Sequence, residues 1–424
     1  MRPGALAALR YRDFRLLWIG QLISMAGSMM QSAAILWHIY LITKSPLALG
    51  MIGLTRLVPI LAFALLSGLV ADAMDRRRLM LITQGGMAIS ALLLAVISFR
   101  EVSLAWPIYV LAMAGAAFST FDTPARQSLI PSLVPREHLA NAFSLNATMF
   151  QFASVLGPSL AGVVIASFGV GWAYLLNALS FLAVVVALLL MHPVAAPQTG
   201  RSAISLQAAM EGLRFVFQAP IIRAGMLLDF FATFFASATA LLPIFAQDIL
   251  RVGAQGFGLL YAAPSLGAMV SGVVLAVRGQ IKHQGRVLLW AVAVYGMATI
   301  VFGLSKSFWI TFTALALTGT ADMVSMVIRS TVRQLLTPDA MRGRMVSWNM
   351  LFFAGGPQLG EVEAGLLARW VGPVISVVVG GLGCLVAAGS VAWWTPELRR
   401  FEGHEPGPHE NPPAGRASAA HPAR

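Results

Sequence analysis

Twelve long apolar runs, separated by short polar connections, leave this chain few choices of fold. The hydrocarbon core of a bilayer is crossed by about 20 apolar residues of helix. Runs of that order lie near 15–41, 48–71, 79–98, 103–125, 142–167, 171–191, 221–248, 256–277, 287–305, 308–330, 344–368 and 371–394. Lipid offers no hydrogen bonds to a backbone, so such runs form helices and not open sheet. With 58% hydrophobic and 11% charged residues, a water-soluble globule is excluded. The expected fold class is an all-α membrane protein with 12 transmembrane helices. The first run follows a basic N-terminus, as a signal peptide does. Its apolar stretch exceeds the roughly 7–15 residues of a cleavable core, so it reads as the first helix.

The basic residues fall on alternate connections. Of 29 Lys and Arg, 23 lie at the termini and on every second loop; the opposite loops hold Lys44, Arg100, Arg251, Lys306 and Arg369, and Arg56 sits inside a run. Lys and Arg are retained on the cytoplasmic side of short loops, so this split predicts cytoplasmic N- and C-termini in a multi-pass protein of the plasma (inner) membrane of a bacterium. The net charge of +12 then points to anionic lipid headgroups and not to nucleic acid.

The longest non-spanning stretch divides the chain into two halves, giving expected units of 1–191 (six helices), 192–220 (linker), 221–395 (six helices) and 396–424 (disordered tail). In the linker Ile204, Leu206, Met210, Leu213 and Phe217 recur at helical spacing, as in an amphipathic surface helix. The halves are related. A shift of 203 positions lays Arg126 on Arg329, Pro135 on Pro338, Ser144 on Ser347 and Asn146 on Asn349, and a shift of 208 lays Gly50 on Gly258 and Arg78 on Arg286. Parallel six-helix repeats imply a substrate path between the halves, with alternating access as one rocks against the other.

Two motifs carry a resemblance. After the second run the chain reads Gly68-Leu-Val-Ala-Asp72-Ala-Met-Asp75-Arg76-Arg77-Arg78. The glycine permits close helix approach, Asp72 can accept hydrogen bonds from a facing helix or arginine, and the arginines anchor the loop. This resembles the cytoplasmic loop motif of the major facilitator superfamily, although Ala73 and Asp75 replace its usual basic residue and glycine. Asp75 is then free to pair locally with Arg78. The fifth run contains Gly157-Pro158-Ser-Leu-Ala-Gly162, similar to the antiporter motif of that superfamily, which accompanies export against an opposing ion. Tyr11-Arg-Asp-Phe-Arg-Leu-Leu-Trp18, Glu211-Gly-Leu-Arg-Phe215 and Gln358-Leu-Gly-Glu-Val-Glu-Ala-Gly365 resemble the bacterial subgroup that includes the enterobactin exporter. The resemblance covers about residues 10–400.

Polar stripes mark the expected substrate cavity. Gln21, Ser24, Ser28 and Gln31 recur every three or four residues on the first helix, and Gln151 continues a similar stripe on the fifth. Thr233 and Phe234 stand on the seventh, whose four phenylalanines would supply an apolar wall. For any single Ser or Thr, ordinary interhelical hydrogen bonding is the plainer reading, worth about 0.6 kcal/mol.

Ionisable residues cost roughly 2.5–3.5 kcal/mol each within a bilayer and are functional candidates by default. Asp322, near the middle of the tenth run, leads as a proton-coupling carboxylate; Asp229 follows, and Glu361 and Glu363, two apart, point to different faces. Asp122 and Arg126 lie one turn apart and suit a structural ion pair or a gate with Asp72; Arg329 falls with them among the gating residues. Arg56 either takes an anionic substrate group or neutralises a neighbouring carboxylate. His38 reads as an interfacial histidine at the end of the first run.

Cys384 alone provides no disulfide or thiolate metal site. No phosphate-cradling Gly-Lys loop and no His/Glu metal spacing occur, so neither an enzyme, a metal nor another cofactor is expected. The expected function is secondary active transport, as a proton-driven exporter (antiporter) of a siderophore-like or hydrophobic drug-like small molecule, working as a monomer with protons and lipids as its other partners. Uptake or facilitated diffusion on the same fold, and a non-transporting membrane sensor or scaffold, are the alternatives.

Overall fold

The computed structural model describes residues 6–192, 214, 216–279, 281–337 and 342–402, with the side chains of 65 and 342–354 excepted. Long helices dominate: α1 (Arg12–Thr43), α2 (Ile52–Ala73), α3 (Arg76–Phe99), α4 (Trp106–Leu133), α5 (Leu139–Phe168), α6 (Val170–Leu190), α7 (Pro220–Phe235), α8 (Gly253–Arg278), α9 (Gln284–Leu304), α10 (Phe308–Leu336), α11 (Arg342–Val371) and α12 (Pro373–Trp394). Among the described residues, ten helical segments are long and apolar enough to cross a membrane. The two long helices outside that set are α4 and α11. The first carries Ser119, Thr120, Asp122, Thr123 and Arg126, and the second Gln358, Glu361 and Glu363. The expected linker helix and tail, 193–213 and 403–424, lie outside the described residues.

Local chemistry sets the ends. Asp75 caps α3, its carboxylate accepting from the Arg78 backbone N–H at 2.8 Å. A short helix, Pro46–Gly50, is capped by Ser45 and leads into α2. Two one-residue connections, α5 to α6 and α11 to α12, turn at Gly169 and Gly372, whose φ values of 92° and 88° suit glycine alone. These residues are related by the same shift of 203 that superposes Arg126 on Arg329.

Packing follows the repeat. In the first half α1 packs on α5 and α6, α3 on α4 and α6, and α2 on α4; in the second, α7 packs on α11 and α12, α9 on α10 and α12, and α8 on α10. The outward surface is apolar. Trp106, Trp290, Trp309, Trp370, Trp393 and Trp394 are exposed, as expected of side chains facing lipid and its headgroups.

The seventh run differs from the continuous helix expected over 221–248. Helix α7 stops at Phe235, and the chain continues through a 3-10 turn at Ala238–Leu241, a short α turn at Leu242–Ile244 and a π turn at Phe245–Ile249. Pro243, within this irregular stretch, supplies no backbone N–H, so the turn before it lacks one helical hydrogen bond. His38 also differs. It is buried, with its ring 3.2 Å from the Tyr174 hydroxyl, because α1 runs on to Thr43 and packs this turn inside the bundle.

Candidate functional site

The two halves meet away from the arginine-rich loops. Helix α5 crosses α8, and α2 crosses α11. A Cβ on Gly162 would lie 3.0 Å from the Gly258 Cα, and one on Gly365 would lie 2.7 Å from the Gly50 Cα. These are one contact used twice, since Gly50 and Gly258 occupy equivalent positions, as do Gly162 and Gly365. The Tyr40 hydroxyl adds a 2.6 Å hydrogen bond to Asp248. All four crossing residues stand toward the face opposite the loop of Arg76–Arg78. Gly157 packs within the first half, its would-be Cβ 2.6 Å from the Ala26 carbonyl of α1, and Pro158 lies inside α5.

A cavity of about 510 Å³ opens among α1, α2 and α4, with Gln358 of α11 closing one side. Ser28 and Gln31 of the expected stripe line it; Gln21 and Ser24 are instead buried between helices. Asn177 of α6 donates to the Gln31 amide oxygen at 2.8 Å, orienting it. Among the described residues lining the cavity, Arg56 is the one charged side chain. Its Nη1 stands 3.9 Å from Glu361 Oε1 in α11. Glu363 is half-buried on another face of α11, as a spacing of two on a helix dictates. Gln151, Thr233 and Phe234 are half-buried outside this cavity; Thr233 donates back to the Asp229 carbonyl at 2.8 Å, and Phe234 stacks on Phe230.

Two carboxylates of the second half converge on one cation. Arg329 Nη1 lies 2.7 Å from Asp229, with both side chains buried, and Nη2 lies 3.7 Å from Asp322, whose side chain is 45% exposed. Arg333, one turn further along α10, lines the same crevice beside Asp229. The first half repeats the arrangement in muted form. Arg126 donates to the Gln21 amide oxygen at 2.9 Å and stands 4.0 Å from Asp122. Asp122 accepts from Thr83 and Gln84, each at 3.0 Å. Gln21 and Asp229 are equivalent under the shift of 208, and Ser119, equivalent to Asp322 under the shift of 203, lines the cavity.

The loop motif is apart from any partner half. Asp72 is exposed and, among the described residues, held by no hydrogen bond or ion pair. A Cβ on Gly68 would meet no neighbouring element within 4 Å; this glycine borders the cavity instead of a close helix crossing. Arg76 donates to the Ser128 carbonyl at 2.7 Å and Arg77 to the Leu189 carbonyl at 3.2 Å, tying α3 to the ends of α4 and α6. Asp75 meets Arg78 through its backbone and not its guanidinium.

Sequence reasoning passed over Asp248, Tyr40, Tyr261 and Asn177. Asn177 could have been found as the lone amide in the sixth apolar run, and Asp248 as a carboxylate at the end of the seventh.

Several known proteins resemble this chain over most of its length. Enterobactin exporter EntS of Citrobacter koseri is 28% identical over 402 residues, covering 94% of this chain and 95% of its own. Enterobactin exporter EntS of Shigella boydii is 27% identical, covering 92% and 93%. Among solved structures, a POT family transporter in complex with 5-aminolevulinic acid has a TM-score of 0.74 at 12% identity, covering 91% of this chain and 96% of its own. A bacterial homologue of the iron transporter ferroportin, in an inward-facing state, has a TM-score of 0.66 at 18% identity, covering 91% and 98%; both likenesses concern the fold. The sequence pattern of the transmembrane secretion effector family matches residues 3–419. The chain is therefore a multi-span membrane protein that belongs to the transmembrane secretion effector family of the major facilitator superfamily.

Proposed function

We propose that the protein is a proton-driven exporter of a siderophore-like or drug-like small molecule, working by alternating access as a monomer without a cofactor. Twelve spans in two halves (1–191 and 221–395, joined by 192–220 and followed by a tail, 396–424) would place both termini and the arginine-rich loops in the bacterial cytoplasm. The conformation is then inward-facing: the glycine crossings and the Tyr40–Asp248 bond close the outer side, and the cavity is loaded from within. Export and a siderophore-like cargo are carried over from the enterobactin exporters as relatives of the whole chain.

The observation that carries proton coupling is the Asp229–Arg329–Asp322 cluster. Two carboxylates face one guanidinium at its centre, so one proton can be held without stranding an unpaired buried charge. Asp322, the more exposed, is the group a proton would reach; Arg333 and Tyr295 border the cluster. Loading Asp322 releases its pull on Arg329 and leaves Asp229 as the remaining partner. Asp72 and the Arg76–Arg78 loop would engage the second half when the inner side closes.

The test uses energised inverted membrane vesicles and a panel of siderophores and hydrophobic drugs. A substrate-dependent collapse of the proton gradient, lost in Asp322→Asn, is the expected result. Flux that is indifferent to the gradient in wild type would remove proton coupling and favour facilitated transport. A folded protein that moves no member of the panel would favour a sensor or scaffold.

A further inference from the structure

The cavity is lined by hydroxyls and amides, among them Ser28, Thr55, Ser119, Gln127 and Asn177, set between apolar side chains. No carboxylate stands among the described lining residues, and the lone guanidinium of Arg56 keeps 31% of its side chain exposed. Its carboxylate neighbour is set back: Glu361 retains only 10% of its side chain in contact with the surroundings. At 3.9 Å the pair is longer than a hydrogen bond, and the second Glu361 oxygen is buried with no hydrogen-bond partner. Tyr261 of α8 stands beside the same guanidinium. A planar guanidinium carries five N–H donors, so this one has donors to offer a ligand.

Electrostatics away from bulk water is strong and selective. A ligand cation entering this cavity meets the Arg56 charge first, with the offsetting Glu361 carboxylate set back behind it. A ligand anion can form short, charge-assisted, two-pronged bonds of the kind Arg makes with carboxylates. Resting on the transport reading of this cavity, we infer that its substrate is a hydrogen-bonding molecule with apolar surface and an anionic group, and that Arg56 takes this group in exchange for Glu361. The exchange has a mechanical consequence. Arg56 belongs to α2 and Glu361 to α11, so ligand binding loosens an ionic link between the halves near their glycine crossing. Gly53, one turn before Arg56, already touches the Gln358 carbonyl of α11, and the side chain of Gln358 borders the same cavity.

Fluorescein and rhodamine 6G share a xanthene ring system but carry opposite charges, and the Arg56 variants separate the effect of charge from that of their different substituents. Binding of each dye to the full chain is measured by fluorescence anisotropy in uncharged-surface phosphatidylcholine nanodiscs. Fluorescein is expected to bind saturably and at least about tenfold tighter than rhodamine 6G. Glu361→Gln removes the internal competitor and should tighten fluorescein a few-fold. Arg56→Ala strands a buried carboxylate, so the double variant Arg56→Ala/Glu361→Gln is the safer comparison; it should weaken fluorescein about tenfold, and Arg56→Lys should restore part of the loss. Equal or tighter binding of rhodamine 6G, unchanged fluorescein affinity in the double variant, or no binding of either dye to folded protein would overturn the inference. Arg56-dependent fluorescein binding without vesicle flux of any compound would keep the site and remove the transport reading. Rhodamine 6G flux indifferent to Arg56 would do the reverse.

Discussion

Tyr40 and Asp248 occupy equivalent positions in the two halves, and the Tyr40 hydroxyl donates a 2.6 Å hydrogen bond to Asp248. Residues related by an internal two-fold relationship touch only where the axis passes, so this bond marks the axis on the closed face. Tyr40→Phe should remove one hydrogen bond, about 1 kcal/mol, and shift the equilibrium toward opening there about fivefold. Asp248→Asn keeps an acceptor oxygen and should shift it less. The readout is labelling of Ser32→Cys, which lines the cavity, by an impermeant maleimide added from the closed face; the native Cys384 is buried and silent.

The crossing of α5 and α8 leaves no room for a side chain. A Cβ on Gly162 would stand 2.8 Å from the Ala254 carbonyl and 3.0 Å from the Gly258 Cα. Gly162→Val should therefore hold the halves apart on that face and raise Ser32→Cys labelling well above the Tyr40→Phe level. Gly68→Ala, where nothing lies within 4 Å, should leave labelling in this state unchanged.

Equivalent contacts at Arg329 and Arg126 differ in charge and should differ in cost. Asp229→Asn breaks a buried 2.7 Å ion pair but leaves Asp322 3.7 Å from Arg329, so the loss should sit at the lower end of the about 3–5 kcal/mol of a broken buried pair. Gln21→Ala removes one hydrogen bond from an arginine that keeps Asp122 nearby, a loss of about 1.5–3 kcal/mol. Thermal melting in one detergent should rank them wild type, Gln21→Ala, Asp229→Asn.

Asp75 stands where the superfamily's loop motif has glycine, and its carboxylate caps α3. Asp75→Ala should cost about 1 kcal/mol and speed hydrogen exchange at the Arg78 amide first. Transport should fall less than in Asp72→Asn, a variant that alters the loop carboxylate without touching the cap.

The run lengths made the helical architecture legible, because lipid imposes one backbone solution. The shift of 203 that lays Arg126 on Arg329 also relates the two one-residue turns at Gly169 and Gly372, a pair visible only in the folded turns. What a helix faces was less legible. Gln21 and Gln31 share a stripe, yet one is buried against Arg126 and the other borders the cavity, because α1 leaves its neighbours as it crosses the bundle. The break after Phe235 lies inside a run that stays apolar throughout, so hydropathy gives no sign of it. Asp322 and Asp229 read as separate candidates; only folding brings both to Arg329.

The glycine crossings also bear on heat. Where backbone meets backbone, no rotamers are frozen as the halves close and none are released as they part. The entropy of the conformational cycle must then come from elsewhere: water entering the cavity, lipid rearranging around the tilting helices, and the long polar side chains that line the path. A steep temperature dependence of turnover would accordingly report on solvent and membrane, and should change with the lipid used more than with substitutions along those four glycines.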